Sequence, residues 1–294
     1  MTHQPAKDSE EPKEAFNWQI PRYVAIDLGV EATWIMEDGQ YQSASGRTVE
    51  IAPLLEAATA GTETYPPILP MPERHTASER DQGPADTVIE VKNETTLSAG
   101  KRLLEDGHHP AVLNFASATH PGGGFLLGAR AQEEYLARSS GLFACLEGNP
   151  MYDFHREQGD PLHTDYVIYS PGVPIFRDDS GSLLEEPYPL GVITSPAVNA
   201  YSLPPDRHHE IEAAMRARIR KVLLVALLHG HDAIVLGAWG CGAFENDPRM
   251  MAELFKASIE EDVPGRYKKI VFAIVDTWPD QRTIGPFREV FGVE

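Results

Sequence analysis

The 294-residue chain is predicted to fold as an α/β layer structure, with a mixed sheet held between helices. Three observations carry this expectation. From residue 87 onward, short β-branched or apolar runs alternate with segments of helical periodicity. Two of the runs, 233–236 and 270–275, are apolar throughout, as in strands covered on both faces. Strand-like runs at 111–115 and 233–236 each lead into a glycine-rich loop and then a helical segment. In layered folds that arrangement collects ligands beyond the carboxyl ends of the strands.

Residues 1–20 are polar and rich in acidic side chains and are expected to form a disordered tail. Residues 21–86 read as an N-terminal extension. It holds a helical segment at 23–36, punctuation at Gly39 and Gly46, a short strand at 48–51 and a helix at 53–60. A connector from 61 to 86 follows, expected to be unpacked because it contains Pro66, Pro67, Pro70 and Pro72. The layered domain, 87–294, opens with a strand at 87–91 and a helix at 97–106 stopped by Gly107. A strand at 111–115 is followed by one helix spanning 131–146. Strands are expected at 166–169 and 191–194, the latter feeding a loop at 195–201. The prolines of 169–177 suggest a broken strand at a sheet edge. Ile211, Met215, Ile219, Val222 and Ala226 recur at helical spacing and predict a helix over 209–228. The strand 233–236, a helix at 248–260 opening on Pro248, and the strand 270–275 complete the order.

Composition narrows the chemistry. With 25 Lys+Arg against 44 Asp+Glu, the net charge is −19, so a basic groove for DNA is not expected. Cys145 and Cys241 are too few for a disulfide framework or a cysteine-rich zinc site. Six of the eleven histidines fall in the patterns His108-His109, His208-His209 and His229-x-His231, none of which puts two imidazoles on one helix face. No metal and no cofactor are expected. No apolar run approaches the roughly 20 residues of a membrane span, and the first residues lack a secretory h-region. The default is a cytoplasmic protein without membrane contact.

Two segments carry the chemistry. The first runs Asn114-Phe-Ala-Ser-Ala-Thr-His-Pro-Gly-Gly-Gly124 and reaches Gln132-Glu-Glu134 seven residues later. Gly122, Gly123 and Gly124 permit positive φ and leave backbone N–H groups uncovered, which suits an acidic protein that must hold a ribose or phosphate. Glu133 and Glu134 suit the first turn of a helix through the macrodipole alone; alternatively, one faces a ligand while the other anchors locally. The second segment, Leu236-Gly-Ala-Trp-Gly-Cys-Gly-Ala-Phe244, joins a buried strand to a helix, the local design for a diphosphate. It is neither a Walker loop nor a dinucleotide fingerprint. Cys241 reads either as a small buried residue or as a nucleophile without a nameable partner. Phe244 reads as core or as a ligand platform.

The order Gly-Gly-Gly, seven residues, Gln-Glu-Glu, with Trp239-Gly-Cys-Gly-Ala-Phe244 after it, resembles the signature of poly(ADP-ribose) glycohydrolases, and of their microbial branch in particular. Arg138-Ser-Ser140 and the segment 169–177 match that branch as well, and the resemblance runs from about Pro21 to the C-terminus. It implies a macrodomain-like fold for 87–294 with a short N-terminal extension. It implies hydrolysis of ribose–ribose O-glycosidic bonds in poly(ADP-ribose), free or on ADP-ribosylated proteins, with ADP-ribose as product. A part in ADP-ribosylation reversal and the DNA damage response goes with that activity. Carried over, Glu134 is the catalytic acid and then base, and Glu133 holds the terminal ribose. Asn114, Gln132, Gly122, Gly123 and Gly124 surround the catalytic loop, while Gly240, Cys241, Gly242, Ala243 and Phe244 surround the diphosphate and ribose. Vertebrate enzymes carry Asn where this chain has Ser117, so Ser117 is left out of the set. Phe176, Asn199 and Tyr201 are the candidates for stacking the adenine. A hydrolase of single protein-linked ADP-ribose units and a non-catalytic ADP-ribose-binding module are the alternatives. Such a module would normally have lost a glutamate, and both are present.

Overall fold

The computed structural model describes residues 19–67 and 87–293; the expected tail up to residue 18 and most of the proline-rich connector lie outside the described residues. The first segment contains α1 (Arg22–Asp38), the hairpin β1 (Gln40–Gln42) and β2 (Thr48–Glu50), α2 (Ala52–Ala60) and β3 (Glu63–Tyr65). The second runs β4 (Val88–Lys92), α3 (Thr96–Glu105), β5 (Pro110–Ala116), α4 (Gln132–Ser139), α5 (Leu142–Leu146), α6 (Pro150–Gln158), β6 (Val167–Arg177) and β7 (Leu183–Pro196). It ends with α7 (Ile211–Leu228), β8 (Ala233–Leu236), α8 (Pro248–Asp262), β9 (Lys269–Ala273) and α9 (Ile284–Phe291).

Seven strands form one sheet in the order β3-β6-β7-β5-β8-β9-β4. From β7 to β4 neighbours are parallel; β3 and β7 flank β6 antiparallel, so the sheet is mixed. The period-two rule of a strand is visible in the centre. Leu113, Ile234, Leu236, Ile270 and Phe272 point to the α7–α8–α9 side, whereas Val112, Ala233, Val235 and Val271 point to the α3–α4–α5–α6 side. Because both faces are covered, these strands read as continuous apolar runs. A third cluster packs Ala32, Ile35, Tyr41, Val49 and Ile51 of the extension onto Phe176 of β6.

Three expectations are corrected. Within the segment read as an unpacked connector, Glu63, Thr64 and Tyr65 pair with Tyr169, Ile168 and Val167 and make the edge strand. For the same reason β6 is an interior strand; Pro171 falls in a register shift between Ser170 and Val173, and Pro174 pairs in register with Pro189. The helix expected over 131–146 is two helices. Ser140 is extended (φ −152°) and bridges Ile175, and Gly141 N–H donates to Pro174 O at 2.9 Å, so β6 interrupts the helical ladder. Helices α6 and α9 were not anticipated, whereas the strand expected at 233–236 coincides with β8.

Candidate active site

β5 and β8 are parallel neighbours, so the loops that leave their carboxyl ends lie side by side. Between them opens a cleft of about 700 Å³ lined by Gly123, Gly124, Gln132, Glu133 and Glu134 from the first loop and its helix, and by Gly240 through Phe244 from the second. Asn114 and Gly122 stand behind this lining.

α4 begins at Gln132, which places Glu133 and Glu134 in its first turn. Gln132 ties that turn to the sheet: its Oε1 accepts from Phe115 N–H at 2.9 Å, and its Nε2 donates to Leu113 O at 2.7 Å and Thr96 Oγ1 at 3.0 Å. Glu133 is buried; its Oε2 accepts from Ser117 N–H at 2.6 Å and its Oε1 from Asn114 Nδ2 at 3.5 Å. Asn114 Nδ2 also donates to Thr194 Oγ1 at 3.2 Å, so the amide holds Glu133 from below. Burial pushes the Glu133 carboxyl well above the ordinary carboxylate range and the charge of Glu134 adds to this, against the N–H groups of Ser117, Asn114 and Gly122. Glu134 Oε1 accepts from Gly124 N–H and its Oε2 from Ala131 N–H, both at 2.9 Å. The second bond is the backward half of a capping box.

The loop closes tightly over this pair. Gly123 has φ +60°, and a Cβ built there would collide with Glu134 Oε1 and stand 2.9 Å from Glu133 Oε2. Its N–H donates to His120 O at 3.0 Å. The amides expected to hold a ligand are therefore occupied here by the protein's own carbonyl and carboxylates.

The second loop is built differently. Asn246 Nδ2 donates to Val198 O at 2.8 Å and to Gly240 O at 3.1 Å, while Asn246 N–H donates to Gly240 O at 3.0 Å. Glu245 takes φ +56°, and Asp247 caps α8 by accepting from Met250 N–H at 2.7 Å. Among the described residues no group accepts from the N–H of Gly242, Ala243 or Phe244. Gly242 and Ala243 are exposed, and all three residues line the cleft. The Cys241 thiol is pushed above its usual range by burial, and Asp247 adds to this, which disfavours the thiolate a nucleophile needs. Phe244 is half-buried against the sheet core, with the His163 ring 6.4 Å behind it.

The adenine candidates do not reach the cleft. Phe176 is fully buried under the extension, and Asn199 and Tyr201 lie outside the lining. The aromatic that does line the rim is Trp278, 54% exposed and stacked on Arg282 at 4.0 Å. Asp276 holds that rim by accepting from the N–H groups of Trp278, Thr283 and Ile284. No spacing in the sequence signals Trp278; the short Asn246-Asp247-Pro248 string, by contrast, marks a capped helix start. Among the described residues no three His, Cys, Asp or Glu side chains form a metal-sized group, and no helix is long and apolar enough to cross a membrane.

The family model described as "Microbial-type PARG, catalytic domain" matches residues 30–178. Among solved structures, the poly(ADP-ribose) glycohydrolase of Thermomonospora curvata is 46% identical with a TM-score of 0.84, covering 92% of this chain and 100% of that one. The same enzyme bound to the inhibitor ADP-HPD is 47% identical with a TM-score of 0.82, over 91% of this chain and 99% of that one. The Deinococcus radiodurans poly(ADP-ribose) glycohydrolase in complex with ADP-ribose is 42% identical with a TM-score of 0.74, over 81% of this chain and 96% of that one. No curated protein matches the sequence.

Proposed function

The chain belongs to the microbial-type poly(ADP-ribose) glycohydrolases, and we propose a division of labour between its two loops in the hydrolysis of poly(ADP-ribose) to ADP-ribose. The observation that carries the reading is the pairing of two buried carboxyls, closed under Gly123, with three free N–H groups across one cleft.

The N–H groups of Gly242, Ala243 and Phe244 hold the diphosphate, which meets no Lys or Arg in that loop. Phe244 supports the ribose that is cleaved, and the exposed indole of Trp278 stacks the adenine. Glu133 anchors the ribose hydroxyls. Glu134 gives its proton to the departing ribose oxygen as the anomeric C–O bond breaks. The developing oxocarbenium charge lies between the ionised Glu134 and the substrate's own diphosphate. Glu134 then takes a proton from water as the water oxygen bonds to the anomeric carbon, which restores the acid. In the free enzyme, the N–H groups of Gly124 and Ala131 keep Glu134 in place. The polymer is read as carried on ADP-ribosylated proteins in the cytoplasm, with no DNA held by this acidic chain.

The test is Glu134→Gln, which keeps size and hydrogen bonding but removes the transferable proton. ADP-ribose should bind within a few-fold of the parent protein by calorimetry. Release of ADP-ribose from polymer should fall by a factor of about 10³ or more, because one group serves as both acid and base. Normal turnover with normal binding moves the acid elsewhere, with Glu133→Gln as the next measurement.

A further inference from the structure

Arg138 sits one helical turn after Glu134 on α4 and is fully buried. A buried guanidinium is costly unless its donors are satisfied. Here Nη1 donates to Ala129 O at 2.6 Å, while Nε and Nη2 have no hydrogen-bond partner among the described residues. Its single bond goes to the loop that grips Glu134. Ala129 N–H donates to Gly124 O at 3.1 Å, and Gly124 N–H donates to Glu134 Oε1 at 2.9 Å. Behind Arg138 stands a second buried arginine. Arg177 Nε donates to Arg138 O at 3.1 Å, its Nη1 to Gly181 O at 2.8 Å, and its Nη2 to Glu31 Oε2 at 2.8 Å.

Glu31 belongs to α1, and α1 touches the same loop directly. Arg22 Nε donates to Leu127 O at 3.0 Å, and Arg130 Nη1 donates to Ile20 O at 2.7 Å just before the helix. A Cβ on Gly29 would stand 2.8 Å from Phe125 O, so the helix backbone lies against the loop. The extension therefore meets the catalytic loop at its surface and, through the two arginines, from beneath.

We propose that Arg138 is a positioning residue for Glu134, the inner end of a Glu31–Arg177–Arg138 strut that fixes the catalytic loop and sets a buried cation under the acid. The proposal rests on the reading of Glu134 as proton donor. The charged groups acting on Arg138 are Glu134, which favours its charge, and Arg177 and Arg130, which oppose it. Burial lowers the guanidinium to about 10, so it stays charged at neutral pH. When Glu134 ionises on giving up its proton, the cation is already in place and nothing need reorganise.

Arg138→Met keeps much of the volume and removes the charge; Arg138→Lys keeps the charge. A carboxyl pair that loses a nearby cation holds its proton more tightly, so the alkaline limb of the pH–rate profile should move to higher pH in Arg138→Met. About half a unit or more is expected, with kcat down about tenfold or more and ADP-ribose affinity within threefold. Arg138→Lys should leave the limb in place. An unmoved limb in Arg138→Met, whether or not kcat falls, overturns the proposal. Should Arg138→Met fail to fold by circular dichroism, Arg138→Lys and Glu31→Gln decide. A lowered kcat at unchanged ADP-ribose affinity in both upholds the strut, and an unchanged kcat in both overturns it. Glu134→Gln, run in parallel, separates the two readings. Turnover by that variant removes the acid assignment itself, whereas an inactive Glu134→Gln beside an unaltered Arg138→Met removes the role of Arg138 alone.

Discussion

The loops after β5 and β8 leave adjacent parallel strands and are both glycine-rich, yet they present opposite faces of the same chemistry. In the first, Gly122 and Gly124 direct their N–H groups to Glu133 and Glu134, and Gly123 directs its own to His120 O. Glycine is needed there because carboxylate oxygens occupy the place of a side chain. In the second, a buried Asn246 ties the loop from beneath, and the N–H groups of Gly242, Ala243 and Phe244 have no acceptor among the described residues. One loop uses its amides to hold acids; the other keeps them for an anion.

The strongest way to break this contrast is Gly123→Val. A β-branched residue at φ +60° is strained, and its side chain would enter the space of both carboxylates. Turnover should fall by a factor of about 10²–10⁴, the range for losing a positioned acid, while ADP-ribose still binds through the second loop. A folded variant with normal turnover on polymer would show that the first loop does not hold the catalytic groups.

Ala243→Pro should do the reverse. It deletes one of the three free donors, and a hydrogen bond to a charged group contributes roughly 1.5–3 kcal/mol, so ADP-ribose affinity should drop about tenfold or more. Calorimetry on this variant, beside kcat at saturating polymer, checks that binding suffers more than chemistry. If kcat falls while affinity holds, the two roles have been assigned the wrong way round.

A smaller effect is expected from salt. With backbone donors in place of a Lys/Arg groove, the affinity for ADP-ribose should weaken only a few-fold between low and high ionic strength. A steep log–log slope would put cationic side chains on the diphosphate.

Acid should loosen the packing behind Phe244. His163 lies behind Phe244 and meets the ring of His155 at 5.5 Å; burial lowers both histidines to about 4. Their folded values lie below the unfolded one near 6.5, so the unfolded chain binds more protons as pH falls. The stability they contribute is fully present above pH 6.5 and is lost as pH falls through about 4. For the buried His155 this amounts to about 1–2 kcal/mol between pH 7 and 5. Urea midpoints across that range should fall, and amide exchange should quicken in 240–246. Unchanged exchange in 240–246 across that range would remove the coupling.

Much of the site was legible in the sequence because its signals are local. Gln132-Glu-Glu134 after a glycine run fixes a helix start, and a carboxyl in a first turn must lie near the preceding loop. Trp278 was not legible: it stands five residues past β9 in an irregular segment, and only the cleft shows that it lines the rim. Phe176 was misread as a stacking candidate because the sequence did not show that the extension covers it.

The sequence alone determined the alternation of strands and helices, the buried centre of the sheet and the two loops at its carboxyl ends. Period, capping and glycine act over a few residues and need no distant partner. The tertiary structure decided which amides remain free, which aromatic reaches the cleft and what supports Glu134. Each of those depends on residues far apart in the chain, such as Asn246 with Val198, or Arg177 with Glu31 across 146 positions. The edge strand β3 belongs with them. Thr64 and Tyr65 favour a strand, but three residues ahead of Pro66 and Pro67 are too short a run to signal one, and pairing with β6 gives their backbone groups the partners that make it.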